Sequence, residues 1–532
     1  MRLILTITIF FTVAYCTQAQ ISLERKALSK MEKAQWSKAE QLLIKSLEKD
    51  SLNTEAWLLR SKLYFATAFS GFSIDSAYQF ALTSFRTYSL STPRQKERMK
   101  KNLLDSATLI SYREKIDSAA FERAKQLNTE QSYIDFLTHF TSAKQRPAAI
   151  ELRDEVAFVQ ALKLNTYRSF EEYLKKYPRS IRADDARNRY EKLLFEDKTK
   201  DGKLKSYDAF VINYPLSIYR KEAEKNIFEI STASGKKDDL IDFLQKYKDS
   251  YYAKQARNIL FHLFEPDDTG FDFYTDSLRK VVSLRKGYWV PFLKDHRFGF
   301  MDENGNEIIA STYSSIFEEY ICGDVRTDYM IVEGGIIGRN SAWIYKGKVN
   351  DVEDMGFGFL RVGIEDSLYV IHKSGFSLAQ QYAQDAKIIA ENFIALKRNE
   401  RWGLISFAGK IILPTVYDNI EAIDELIVLH KYGKKIITTI DQLSATADKN
   451  PISESFVFDD VRLLERGTFL VKNGSLEGAI NSNREYVIPL DRQLLSKAPV
   501  GFVSERNQKL RLKGVSPMLE QKEFDDLRFY GN

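Results

Sequence analysis

Cysteine is nearly absent. The 532 residues hold two, Cys16 and Cys322. Cleavage after Ala19, argued below, removes the first and leaves a lone thiol, so no internal disulfide holds the mature chain. Histidine is also scarce. His139, His262, His296, His372 and His430 are scattered, no two at metal-ligand spacing, and HExxH does not occur. There is no GxSxG, and Gly334-Gly335 with Gly338 lacks the Lys-Ser/Thr that a phosphate loop needs. No long basic tract occurs, and a net charge of +5 is small for this length, which gives nucleic-acid binding no support. Beyond the first residues, no apolar run approaches transmembrane length.

What is present starts at the N-terminus. Met1-Arg2 is a short positive region, Leu3 to Val13 is apolar and broken only by Thr, and Thr17-Gln18-Ala19 offers small residues for cleavage. That order is a secretory signal peptide over residues 1–19. The expected destination is export, to the periplasm, the outer membrane or the exterior. A lipoprotein anchor on Cys16 is disfavoured, because such signals want a small residue where Tyr15 stands. At 44% hydrophobic and 28% charged, the whole chain has an ordinary globular composition, and its length suggests two to four domains.

From Ile21 to about Glu265 the apolar period is 3.6, with Pro and Gly rare. Ala27, Met31, Trp36, Ala39, Leu43 and Leu47, then Ala56, Trp57, Leu59 and Leu63, predict three helices around the turn Asp50-Ser51-Leu52-Asn53. A second repeat starts at Tyr133. Its anchors Phe140, Tyr177, Tyr214 and Tyr247 stand 37, 37 and 33 residues apart. An apolar stripe precedes each, such as Phe170, Tyr173, Leu174, and an alanine follows each by nine residues: Ala149, Ala186, Ala223, Ala256. Pro178 and Pro215 close helices, and Ser180, Ser217 and Ser250 are expected to N-cap the next ones. Helical units of this period predict an α-solenoid.

Glu265-Pro266-Asp267-Asp268 breaks the pattern, and Asp272 to Arg285 could form one more helix. After Gly287 the period becomes 2, which predicts strands. Trp402-Gly403 precedes Gly409 by seven and six residues, and Phe298-Gly299 stands in the same relation to Gly305. Leu368-Tyr369 and Gly375 form a third copy, and Glu477-Gly478 with Arg484 a weaker one. A corner tetrad recurs as Tyr313-Ser314-Ser315-Ile316, Tyr417-Asp418-Asn419-Ile420, Phe458-Asp459-Asp460-Val461 and Phe524-Asp525-Asp526-Leu527. Fainter copies begin at Val349, Ala383 and Leu490, making about seven units near 35 residues. The glycine after the aromatic is expected where another backbone approaches, and Gly305 and Gly409 where a tight hairpin needs positive φ. Pro414 predicts a strand end or edge.

WSKAEQLLIKSLEKDSLNTEAW, residues 36–57, resembles a tetratricopeptide repeat. The FxxYLxxYPxS form over roughly 130–262 resembles the tetratricopeptide-like repeats of exported bacterial proteins, including the barrel-assembly lipoprotein of the outer membrane. That resemblance implies a concave surface for a peptide or protein partner. Residues 401–420 and 297–316 resemble the WG repeat of bacterial proteins, which implies an all-β repeat domain with no common chemistry. The expected architecture is multidomain, α plus all-β. Residues 20–130 and 131–265 form TPR-like helical repeats, 266–288 a linker, and 289–532 a WG-type domain, β-propeller-like or else an open β-solenoid.

Chemical motifs weigh little beside this frame. Asp302 to Glu307 suggests a calcium loop, but its twelfth position is Tyr313 rather than Glu, so a hairpin explains it. Ser46-Leu47-Glu48-Lys49, Ser51-Leu52-Asn53 and Lys373-Ser374-Gly375 mimic a penicillin-binding set by coincidence. No catalytic, metal or cofactor residue is assigned. The residues singled out define repeats: Phe298, Gly299, Gly305, Tyr313, Trp402, Gly403, Gly409, Tyr417, Tyr177, Pro178, Tyr214 and Pro215. The expected function is a non-enzymatic interaction scaffold of the cell envelope. The alternatives are a carbohydrate-binding module, with an envelope glycan as ligand, and a secreted hydrolase.

Overall fold

A computed structural model describes residues 22–263, 287–321, 323–378, 383–449 and 455–527. The expected signal segment with Cys16, nearly all of the expected linker with its helix, and Cys322 lie outside the described residues. Fourteen helices occupy the described chain up to Leu263, and antiparallel strands run from Trp289 onward. Contacts divide the chain into two compact units, Met1–Leu194 and Phe195–Asn532, so the last helices belong with the sheets.

In the first unit, Leu23–Glu32, Trp36–Lys49 and Thr54–Tyr64 are the three helices the apolar spacing predicts. Ala27, Ala39, Leu43, Ala56 and Leu63 are fully buried between them. Further along, Thr129 and Ser132 form a capping box, and Thr166 and Ser169 repeat it one period later. Each anchor is the C-cap of the first helix of its hairpin. The alanines nine residues on, Ala149, Ala186, Ala223 and Ala256, are all fully buried, which is how the helix axes come close. Pro178 and Pro215 follow directly on the C-caps Tyr177 and Tyr214. The serines are not N-caps. Ser180, Ser217 and Ser250 stand three residues before helices that begin at Ala183, Arg220 and Ala253. Each hydroxyl accepts from the backbone N–H two residues on, closing the turn itself.

The anchors also tie repeats together within each unit. Tyr177 donates its hydroxyl to Glu130, and Lys176 pairs with the same carboxylate at 3.3 Å. In the second unit Tyr247 donates to Asp208 at 2.6 Å, with Lys246 at 2.9 Å. Burial and that carboxylate push the Tyr247 hydroxyl up to about 12.

A carboxyl group is buried in the first unit without a hydrogen bond. Asp117, on the helix Ser106–Leu127, is 0% exposed, and among the described residues neither oxygen accepts one. Arg113 lies 3.5 Å away, outweighed by burial, which pushes the carboxyl up to about 6. The folded state therefore holds this proton more tightly than the unfolded chain does. Stability is highest below the unfolded pKa and falls as pH rises toward about 6, by roughly 2–3 kcal/mol. Asp117→Asn is expected to remove that slope in urea melts between pH 4 and 8 and to be the more stable protein at pH 8. A wild-type slope retained in the variant would refute this.

Among the described residues, the strands of the second unit form seven antiparallel sheets, each in chain order and none closing on itself. The fourth sheet shows the unit in full: Asp385–Ile389, Phe393–Arg398, Arg401–Ser406 and Ile411–Tyr417. Its third strand carries Trp402-Gly403, and its last strand runs into the corner tetrad. Trp402 pairs with Tyr417, then the register shifts, so that Leu404 faces Leu413. The first sheet repeats this, with Phe298 opposite Tyr313 and a shift before Phe300 and Ile309. So does the sixth, with Glu477 opposite Arg492. That last pairing corrects the register of one faint tetrad. Arg492, not Leu490, occupies the place of Tyr417, and the next strand starts two residues later at Leu494.

These shifts are why glycine follows the aromatic. A Cβ on Gly403 would lie 2.9 Å from the Leu413 oxygen and the Thr415 nitrogen. On Gly299 it would lie 2.5 Å from the Ile309 oxygen, and on Gly478 2.8 Å from Leu490 Cα. The bulged last strand bends over the third, and only a residue without a side chain leaves room. Pro414 and Pro489 both lie on such last strands, at the sheet edge where no ladder donor is needed. The longer spacing from Tyr417 to Phe458, 41 residues against 34 to either side, is a helical insertion at Ile440–Ala445.

Candidate functional site

The helices of the second unit face its sheets. Lys236 donates to Asp441 at 2.6 Å, and the Leu204 N–H donates to Asp448 at 2.7 Å, both acceptors lying in the insertion. His262, on the helix Ala253–Leu263, meets His372 edge-on at 4.6 Å, while His372 stacks on Phe376 at 4.5 Å. Gly358 passes beside both rings, and a Cβ there would lie 2.5 Å from His262.

Between the helices Arg220–Ser231 and Ala253–Leu263 and the fourth sheet lies a half-open cavity of about 520 Å³. That volume is in the range of small-molecule sites. Phe228 and Tyr252, stacked at 5.6 Å, form one wall, with Phe376 nearby. Leu396, Leu404 and Leu413 line the sheet side, together with Gly403, Gly409 and Pro414. The lining is mixed, aromatic faces from the helices and aliphatic positions of the sheet sharing it with polar groups in nearly equal measure.

A few charged groups enter it. Glu229 has a side chain 12% exposed, and Lys225 and Lys410 flank it at 3.7 and 3.8 Å. Neither distance is a hydrogen bond. Burial raises the Glu229 carboxyl above its usual range despite both lysines. Arg398 also lines the cavity, and burial lowers its guanidinium from its ordinary value. Two lysines thus flank one carboxylate whose charged form burial disfavours.

Of the residues singled out from sequence, Gly403 and Gly409 line this cavity. Trp402 and Tyr417 are both buried, at 8% exposure, with the Trp402 ring under Lys387 Nζ at 4.5 Å. Phe298, Gly299 and Tyr313 form the equivalent joint of the first sheet. Gly305 and Gly409 turn their hairpins at φ of 81° and 93°, and Arg484 adopts 66° in the same place. Asp302 accepts from Asn304 N and from Asn306 N and Nδ2, as a hairpin turn does. Ser46 is buried and donates to Glu24. Among the described residues, no group of three or more His, Cys, Asp or Glu could hold a metal ion, and no helix is long and apolar enough to cross a membrane. The cavity's charged residues escape sequence reading. Lys225 and Glu229 are an ordinary i,i+4 pair on a helix, and Lys410 is 181 residues further on.

The WG containing repeat matches residues 298–320, the copy that carries Phe298-Gly299 rather than Trp402-Gly403. No curated protein matches the chain. Among solved structures, Kluyveromyces lactis Hsv2 is similar at 9% identity and a TM-score of 0.18, over 44% of this chain and 73% of that one. A likeness at that score carries no argument about fold or function.

Proposed function

We propose that the protein is an exported, non-enzymatic interaction scaffold of the cell envelope, with TPR-like hairpins offering the surface for a protein or peptide partner. One observation carries this reading. Four residues after three successive anchors stand Ile181, Ile218 and Tyr251, exposed by 76%, 68% and 66%. A large apolar side chain held in water at one repeat position, copy after copy, does nothing for the core and suits a partner. The β repeats are then the second platform, read as a propeller. Each full unit is a four-stranded meander, and the first strands of neighbouring units, such as Asp351–Gly356 with Asp385–Ile389 and Asp385–Ile389 with Asn419–Ile423, lie in contact.

The test is an affinity capture from the envelope fraction with full-length protein and an Ile181→Asp, Ile218→Asp, Tyr251→Asp variant. Because these side chains are exposed, the melting temperature is expected to stay within about 2 °C, while partner recovery falls at least about tenfold. An unchanged partner set on a folded variant would overturn the reading.

A further inference from the structure

We propose that the cavity between the helices Arg220–Ser231 and Ala253–Leu263 and the fourth sheet binds a small amphipathic monoanion, an alkyl or aryl carboxylate. The proposal is independent of the scaffold reading, since it concerns a different surface and a different class of ligand. Three features of the cavity point to it together.

The first is shape. A half-open cavity of about 520 Å³ walled by Phe228, Tyr252, Phe376, Leu396, Leu404 and Leu413 is a place for an apolar body of ligand size. The second is charge. Lys225 lines the cavity and Lys410 reaches the same carboxylate from the sheet side, so two lysines meet Glu229, the one acidic residue of the lining. In a partly desolvated site that imbalance favours an anion and disfavours a cation. The third is incomplete pairing. The lysine nitrogens stand 3.7 and 3.8 Å from Glu229, too far for hydrogen bonds. A ligand carboxylate entering beside Glu229 would take the donors that Glu229 leaves unused, in charge-assisted bonds. Burial makes the charged form of Glu229 costly, so Glu229 competes only weakly with an incoming anion for the two lysines.

The chemistry is shared by a fatty acyl chain and by an aromatic acid, so the probes separate them. Calorimetric titration of the purified full-length protein would use decanoate, 4-phenylbutyrate and, as a cation matched in chain length, decyltrimethylammonium. One-site saturable binding is expected for decanoate or phenylbutyrate, the tighter of the two naming the source, and none for the ammonium. Lys410→Gln and Lys225→Gln are each expected to weaken anion binding at least about tenfold. Glu229→Gln is expected to bind the anion at least as tightly as the native protein. Lys225 is half exposed, so its variant keeps the test decisive should the Lys410 change unfold the chain. Equal binding of the matched cation, no saturable binding of either anion, or undiminished affinity in the Lys225 variant would each overturn the proposal.

Discussion

Trp402→Ala is expected to destabilise the second unit by about 3–5 kcal/mol, the range for deleting a large buried aromatic. The ring is 8% exposed, stands opposite Tyr417 on the neighbouring strand and carries Lys387 over its face. Removing it opens a void at the bulge, where Gly403 already brings the last strand close, so the site has little freedom to collapse. It also leaves Lys387, whose ammonium is pushed down by burial, facing that void. Trp402→Phe should keep most of the stability, because Phe298 fills the equivalent joint of the first sheet. Urea unfolding of the full chain, followed by fluorescence and by circular dichroism, measures both variants. A Trp402→Ala protein with native stability would mean the ring is not a structural anchor, and attention would return to this residue as a binding side chain.

Arg339→Met is expected to cost a comparable amount, about 3–5 kcal/mol, for a different physical reason, the loss of several hydrogen bonds from a charged donor. Arg339 is 2% exposed and is among the largest fully enclosed side chains. Its Nε donates to the Thr327 oxygen at 2.9 Å, and its two terminal nitrogens to the oxygens of Gly287 and Val325 at 3.1 and 3.0 Å. The guanidinium also lies over the Trp289 ring at 5.1 Å. Trp289 and Val325 exchange backbone hydrogen bonds at 3.0 and 2.8 Å, so Arg339 fastens the start of the first sheet to the segment that follows it. Methionine fills much of the volume but donates nothing, so three hydrogen bonds from a charged group and its contact with the Trp289 ring are lost from an enclosed position, each such hydrogen bond being worth about 1.5–3 kcal/mol. Arg339→Lys is expected to recover only part of the loss, since an ammonium cannot spread its donors as the planar fork does. Chemical unfolding of both variants decides the matter. Native stability in Arg339→Met would show that the guanidinium hydrogen bonds do not hold this corner of the first sheet.

Much of the repeat architecture is legible in the amino-acid pattern. The period of 3.6 up to residue 263 and of 2 after Gly287 reflects which faces are buried, and burial follows directly from hydrophobic pattern. The fully buried alanines at 149, 186, 223 and 256 stand out as a repeat because a helix crossing tolerates so few residue types. The glycine of Trp402-Gly403 likewise announces a close backbone approach. The register of the degenerate copies is harder. Arg492 stands where tyrosine stands in the better copies, and no composition rule aligns arginine with tyrosine; the backbone pairing with Glu477 does.

The cavity is the clearest case of what pattern cannot supply. Glu229 and Lys410 belong to elements whose local periodicities are complete without each other, and their approach at 3.8 Å comes only from helices packing on a sheet. The same holds for His262 and His372, and for the buried carboxyl of Asp117, which looks like any polar residue on an amphipathic helix. Local propensity and hydrophobic period act over a few residues, so the order of helices, strands and turns is written in the chain itself. Which charges end up desolvated, and which side chains meet across a cavity, depends on non-local packing, and that was decided only when the helices and sheets came together.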